Sequence, residues 1–313
     1  MREITVGTRG SKLAVIQAEE LLAKLREAFP GLKAGVVKIK TTGDRYRTIA
    51  LDEFAGQGIF VKELEKALLD RQIDIAVHSL KDLPTEIPDG LTLSAATARL
   101  DPRDVLVSKA GKLAELASGS KMGTGSPRRA VQLLALRPDL QVCGIRGNID
   151  TRLRKVLDGE FDGVIVAAAA MIRLGWQEKI TEYLPVEHFT PAVGQGTLGI
   201  QIRSEDQEIA ALVSKINDEP TWQAVTAERT FLQALGGGCR APIAALGIVS
   251  ANTLKLTGMV ASVDGVHILR ATEEGSASTP EQVGKRLAQK MAETGALALI
   301  ITTGESSQGQ QRQ

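Results

Sequence analysis

Apolar residues along the chain fall into two alternating rhythms. Ile4–Gly7 is a short run of strand length. From Ser11 to Phe29, the residues Ala14, Ala18, Leu21, Leu22, Leu25 and Phe29 recur on one helical stripe, with Ser11 placed as an N-cap. Strand runs over Val36–Lys40 and Ile73–Val77 flank a helical pattern over Phe60–Arg71. Strands and helices alternating through short connections predict an α/β fold, with a parallel sheet covered by helices.

The rhythm restarts after Asp101-Pro102. Asp104–Ser108, Lys121–Thr124, Gln141–Ile145 and Gly163–Ala168 have strand patterns, and Pro127–Leu136 and Asn148–Leu157 have helical ones. Past Gly194-Gln195-Gly196 come a strand over Leu198–Ile202 and a helix over Glu205–Ile216. Asp218-Glu219-Pro220 marks a further boundary. Beyond it lie a helix (Thr221–Ala234), strand-like runs near Ile243–Ile248, Leu254–Val260 and Val266–Ala271, and a helix from Pro280 to about Glu293. That succession predicts a small α+β domain. The polar tail Gly304–Gln313 is expected to be disordered.

Composition narrows the classes. A chain of 313 residues predicts two or three domains. Aromatic residues make up only 3%, which leaves the packing to aliphatic side chains and argues against stacking single-stranded nucleic acid. A net charge of +1 gives no global pull toward nucleic acid or membrane. Locally the picture changes: Lys121–Lys155 holds eight basic and two acidic residues, a net +6 that calls for an anionic ligand. No apolar stretch approaches the ~20 residues that span a bilayer. Nothing at the start resembles a signal peptide, and two cysteines, Cys143 and Cys239, make no disulfide framework. A reducing cytoplasm is the expectation.

Three strand-to-helix turns combine small residues with arginine: Gly7-Thr8-Arg9-Gly10-Ser11, Gly123-Thr124-Gly125-Ser126-Pro127-Arg128-Arg129 and Arg146-Gly147-Asn148. Small residues let backbone N–H groups approach a ligand, helix N-termini attract anions, and arginine binds carboxylate or phosphate in bidentate fashion. None of the three is a Walker or dinucleotide motif, so carboxylates compete with phosphates as the recognised group. One such turn alone is more often a capped helix with a solvated arginine; three in one protein favour a ligand with several anionic groups.

His78-Ser79-Leu80-Lys81-Asp82-Leu83-Pro84 follows an apolar strand, at the sheet edge where open α/β folds place ligands. Lys81 offers an anion contact and Asp82 a carboxylate for hydrogen bonding or proton exchange. His78 reads as a hydrogen-bonded structural residue rather than a catalyst. Three scattered histidines and cysteines without metal spacing predict no bound metal. Cys143 lies in an apolar strand and reads as inert. Cys239 sits in Gly236-Gly237-Gly238-Cys239-Arg240, where a loop thiol beside a cation gains reactivity. On the residues alone, inert and modified readings of Cys239 both stand.

These motifs together resemble the porphobilinogen deaminase (hydroxymethylbilane synthase) family. The resemblance runs from Thr8-Arg9-Gly10-Ser11 through GIFVKELEKALL (Gly58–Leu69), DIAVHSLKDLPTEIPDGL (Asp74–Leu91), DPRDVLVS (Asp101–Ser108), GTGSPRR (Gly123–Arg129) and GIRGNIDTRL (Gly144–Leu153). It continues through AAAAMIRLG (Ala167–Gly175) and PAVGQGTLGI (Pro191–Ile200) to AERTFLQALGGGCRAPI (Ala227–Ile243), about three-quarters of the chain in the family's order.

The resemblance implies two α/β domains like the halves of a type II periplasmic binding protein, plus a small α+β C-terminal domain. Residues 1–99 with 195–217 would form the first, 100–194 the second and 218–303 the third. It implies a dipyrromethane cofactor held by thioether to Cys239, and transfer of four porphobilinogen molecules head to tail with loss of ammonia. Hydrolysis then releases the linear tetrapyrrole, on the path to haem. It implies cofactor contacts from Lys81, Asp82, Ser126, Arg128, Arg129 and Arg146. Substrate contacts would come from Arg9, Ser11, Arg146, Arg152 and Arg173. Asp82 would be the catalytic carboxylate, bonding pyrrole N–H groups and stabilising the positive charge that develops as ammonia leaves. The partners implied are porphobilinogen and the growing polypyrrole, with a monomeric chain and neither nucleic acid nor membrane.

In one place the chain departs from the family pattern. Glu53 and Gln57 stand where lysines are usual ahead of the FVKELE helix, which puts the anion contacts of that segment in doubt. The alternative function is a non-catalytic two-lobed anion-binding protein, against which the GGGC loop counts.

Overall fold

A computed structural model describes residues 3–39, 61–236 and 242–305. The chain separates into two compact units, Met1–Leu100 with Gly196–Trp222 and Asp101–Gln195 with Gln223–Gln313.

In the first unit β1 (Ile4–Arg9) leads to α1 (Lys12–Ala28), β2 (Ala34–Ile39), α2 (Lys62–Leu69), β3 (Ile75–Ser79) and β4 (Leu91–Ala96). β1 pairs in parallel with β2 on one side and β3 on the other. The stripe of α1 that the sequence marks is the buried one. Ala18, Leu21, Leu22 and Leu25 pack with Ile4, Val6, Ile75 and Val77. Each leucine, isoleucine and valine among them adds about 1.5–3 kcal/mol by leaving water, and Leu21→Ala would open a cavity in this seam at a cost of about 2–5 kcal/mol.

β3 begins two residues later than the pattern predicts. Ile73 and Asp74 serve the turn before it: the Ile73 carbonyl accepts from Arg203 Nη1 at 2.7 Å, and Asp74 accepts from the Thr5 N–H at 2.9 Å. Arg203 is itself buried, and its Nη2 donates to both Asp74 and Asp206. His78 and Ser79 therefore end the strand rather than follow it.

The second unit runs β5 (Asp104–Ser108), β6 (Lys121–Gly123), α3 (Pro127–Leu136), β7 (Gln141–Cys143), α4 (Ile149–Leu157), β8 (Gly163–Ala167), α5 (Ala168–Arg173) and β9 (Glu182–Tyr183). Its strand order is β7-β6-β8-β5-β9. The chain then returns to the first unit as β10 (Leu198–Arg203) and α6 (Gln207–Ser214), giving the order β2-β1-β3-β10-β4.

Both sheets are mixed, which corrects the expected parallel sheet. Four of the five strands in each run one way, and the remaining one, β10 or β5, is antiparallel to both its neighbours. The registers give the reason. Leu198, the start of β10, pairs with Ser79, the end of β3; Asp104, the start of β5, pairs with Ala167, the end of β8. Each strand enters from a crossover at the edge where the parallel strands finish. With no helix to carry it round, it can only run back. Leu100 and Gly196, on the two crossovers, touch through their backbones. The Leu100 N–H donates to Gly196 O at 3.2 Å, and a Cβ at Gly196 (φ +94°) would lie 2.7 Å from Leu100 O. Only glycine fits there.

At the C-terminus, α7 (Glu219–Ala234) precedes an antiparallel sheet of β11 (Ile243–Ser250), β12 (Thr253–Ala261) and β13 (Ile268–Ser276), followed by α8 (Pro280–Glu293) and α9 (Ala296–Glu305). Phe231, Leu254, Leu256, Val283, Leu287 and Met291 form its core. Buried Glu228 on α7 accepts from the Gly194 N–H at 2.7 Å and the Gly247 N–H at 2.8 Å, fastening helix, crossover and sheet together. This is the expected α+β arrangement, with β13 starting two residues later and ending five residues later than the pattern suggests. The polar tail beyond Glu305 lies outside the described residues.

Candidate active site

In the first unit, β1 and β3 are parallel neighbours, so their C-terminal ends open at one edge. Val6 pairs with Ile75 and Gly7 with Ala76; continuing that register sets Arg9 level with His78. Ser11 caps α1, its Oγ accepting from the Ala14 N–H at 3.3 Å, as the sequence predicts. Past β3 a single 3-10 turn, Leu80–Asp82, carries the two polar candidates. Buried Leu80 and Leu83 anchor it on both sides, and the Leu80 N–H donates to Thr197 O at 3.0 Å. Asp82 is exposed at its tip and Lys81 is half-buried. The fold thus brings Arg9, Ser11, Lys81 and Asp82 to one edge. Gln17, buried on α1, ties that helix to the end of β3 by donating to Ser79 Oγ at 2.9 Å. Sequence reading missed it, although a glutamine on an apolar stripe is a usable signal.

His78 is buried in the sheet. Loss of hydration pushes its imidazole down to about 4; a hydrogen bond with Gln201 opposes the shift, and the charge of Arg9 adds to it. Its reading as a structural histidine fits this placement.

In the second unit, β6 is parallel to both β7 and β8, so the turns after these three strands share an edge. Ser126 precedes α3 after β6, Arg146 follows β7, and Arg173 ends the short helix after β8. Arg146 is exposed, whereas Arg152 and Arg173 are half-buried. Arg152 Nε donates to Gly147 O at 2.8 Å, which holds the arginine against its own turn. Neither Ser126 nor Asn148 caps its own helix through the side chain.

Arg128 and Arg129 differ from the expectation of open carboxylate ligands. Both are buried on Asp104, itself fully buried at the start of β5. Arg128 Nη1 donates to Asp104 Oδ2 at 2.8 Å and to Thr190 O at 2.7 Å. Arg129 donates from Nε and Nη2 to Asp104 Oδ1 and from Nη1 to Ile165 O, so all three of its nitrogens bond within the protein. Gln132 and Gln195 complete the cluster: Gln132 bonds both the N–H and the carbonyl of Thr190, and Gln195 donates to Asp104. Two guanidinium groups share one carboxylate, which leaves a buried net charge of +1. Burial pushes the Arg128 guanidinium down, and Asp104 pulls it back. Asp104 went unread in the sequence because a lone acid before VLVS resembles any strand start.

A ligand with several carboxylates suits this donor set. It combines a buried excess cation, arginines at adjacent strand ends, uncapped helix N-termini, and the buried Thr190 hydroxyl, which has no partner among the described residues. Among those residues no cluster of histidine, cysteine and acid could hold a metal. Cys239, and with it Glu53 and Gln57, lies outside the described residues.

The small residues of the turns have a second cause. A Cβ on Gly7 would collide with Ile73 Cδ1, and one on Gly123 would come within 2.9 Å of Val164 Cγ1. These first glycines answer to packing beneath the turn.

Comparison with known proteins agrees with the geometry. The family model described as "Porphobilinogen deaminase, dipyromethane cofactor binding domain" matches residues 4–211, and "Porphobilinogen deaminase, C-terminal domain" matches 222–293. Porphobilinogen deaminase of Desulforudis audaxviator is 48% identical over 94% of this chain and 96% of its own. That of Bacillus subtilis is 47% identical over 96% of both. Among solved structures, the periplasmic VFT2 domain of Bordetella pertussis BvgS aligns at 16% identity with a TM-score of 0.41. That likeness covers 68% of this chain and 86% of that one, and the family assignment does not rest on it. Arginine-bearing turns at two sheet edges, in a chain matched from residue 4 to 211 and from 222 to 293, lead to one conclusion: the chain belongs to the porphobilinogen deaminase family.

Proposed function

We propose that Asp82 is the carboxylate at which the reaction runs in this chain, and that Cys239 is the permanent anchor of its cofactor. Membership of the family makes the chain a transferase of tetrapyrrole biosynthesis with a dipyrromethane cofactor. It joins four porphobilinogen molecules head to tail with loss of ammonia, and hydrolysis frees hydroxymethylbilane.

The observation that carries the role of Asp82 is its setting: an exposed carboxylate on a turn whose neighbours on both sides are locked in the core. Held there, Asp82 accepts hydrogen bonds from pyrrole N–H groups. It also stabilises the cationic charge that grows as ammonia departs, with little reorganisation of its own. Lys81, Arg9 and Ser11 on the same edge receive the acetate and propionate arms of the substrate. In the second unit, Ser126, Arg128, Arg146, Arg152 and Arg173 hold further carboxylates, and Arg129 holds Asp104 and through it Arg128. When bound, the dipyrromethane supplies the pyrrole carbon from which the product is extended.

Residues 218–303 act as a third domain that presents Cys239. The enzyme works as a monomer, the state the family resemblance implies, and in the cytoplasm, a reading supported by two cysteines, too few for a disulfide framework. A non-catalytic anion receptor is not favoured.

Intact-mass measurement with peptide mapping tests the anchor. The peptide containing Cys239 should carry the added mass of a dipyrromethane, and Cys239→Ser should lose it. A bare sequence mass in active wild-type protein would overturn the assignment.

A further inference from the structure

Behind the Leu80–Asp82 turn lies a buried polar chain that the reaction as described does not use. His78 Nε2 is 2.9 Å from Gln201 Oε1, and Gln201 Nε2 donates to Glu65 Oε1 at 3.1 Å. All three residues are buried, and each comes from a different element: His78 from β3, Gln201 from β10 and Glu65 from α2.

The direction of these bonds follows from Glu65. A carboxylate accepts and does not donate, so the amide nitrogen of Gln201 must face it. The amide oxygen then faces His78 and needs a donor, which places the proton on Nε2. In a neutral imidazole that leaves Nδ1 as a bare acceptor. The reversed amide would set two oxygens against each other at one end and demand a lone pair on Nε2 at the other.

We propose that Glu65, acting through Gln201, fixes His78 as the Nε2–H tautomer, and that His78 so fixed is a positioning residue for the turn bearing Lys81 and Asp82. The burial that depresses the imidazole keeps it uncharged near neutrality. Its register explains the reach. His78 pairs with Gly199 and Ser79 with Leu198, so these are the last pairs holding β3 before the chain leaves the sheet. A rotated imidazole would strain that pairing three residues from Lys81 and four from Asp82. The effect on turnover rests on the reading of Asp82 given above; the tautomer does not.

Long-range 1H–15N spectra of the full-length holoenzyme with labelled histidine, near neutral pH, test the first part. The signal that disappears in His78→Gln identifies the residue, and it should show a protonated Nε2 and a bare Nδ1. In Glu65→Gln, whose amide can donate or accept, the same signal should report both tautomers. An Nδ1–H form or an imidazolium in the wild type overturns the proposal. Steady-state kinetics test the second part. His78→Gln, which keeps a donor at the place of Nε2, should retain kcat within about threefold. His78→Asn, whose amide sits at the place of Nδ1, should lose about tenfold in kcat with KM little changed. Equal activity of the two variants refutes the positioning role whatever Asp82→Asn does. Full activity of Asp82→Asn beside the expected tautomer would instead refute only the reading of Asp82.

Discussion

Arg129 grips one oxygen of Asp104 twice, from Nε at 2.9 Å and from Nη2 at 2.7 Å, while the other oxygen receives Arg128. The carboxylate is therefore what permits two guanidinium groups to be buried side by side. Asp104→Asn removes its charge and leaves both cations uncompensated, a change of the kind that costs about 3–5 kcal/mol. Urea unfolding should show a lower midpoint at unchanged slope. A midpoint equal to wild type would mean that the arginines find another counter-charge.

Asp82→Asn should behave in the opposite way. The side chain is exposed and the turn is held by Leu80 and Leu83, so circular dichroism and the unfolding midpoint should stay put. Porphobilinogen consumption should fall by about 10²–10³-fold, the scale for removing a preorganised electrostatic group. Near-normal turnover would remove Asp82 from its assigned role.

The arginines divide by burial. Arg146→Ala, at an exposed site, should leave stability within about 0.5 kcal/mol yet reduce covalent cofactor content or raise KM for porphobilinogen. Arg128→Ala, at a buried one, should lower both stability and cofactor content. Mass spectrometry and unfolding on the same preparations separate the two patterns, and unaltered cofactor content and kinetics in both variants would count against carboxylate binding at this edge.

His78 gives stability a dependence on pH. Its pKa is about 4 in the folded chain against 6.5 for an ordinary histidine, so between these limits the unfolded chain binds the extra proton. Stability is complete above pH 6.5 and declines as pH falls toward 4, by up to about 3 kcal/mol for this group. His78→Gln should flatten that part of the profile. A wild-type curve level from about pH 7 to about pH 4.5 would show that His78 protonates without penalty.

The sequence was most legible where periodicity and packing coincide, as on α1, where the marked leucines are the buried ones. It was less legible where a residue serves an element distant in the chain. Nothing near Asp104 announces arginines 24 and 25 residues later, and nothing near Glu65 announces Gln201. Strand direction was lost for the same reason, since alternation fixes which segments are strands and leaves open which way a returning segment runs. Arg128 and Arg129 were visible as cations at a turn, but burial, which decides what a guanidinium can still bind, has no local signature. Gly7 and Gly123 suggested ligand approach, and Ile73 and Val164 show that packing alone demands them.

The position of β10 sets an order of assembly. It fills the gap between β3 and β4, yet it is made only after all five strands of the other sheet. During synthesis from the N-terminus, residues 104–183 can complete their sheet while the earlier one still lacks a central strand and exposes the facing edges of β3 and β4. The lobe that bears Asp82 is thus begun first and closed second, and until Leu198–Arg203 arrives the register that holds His78 and Ser79 does not exist.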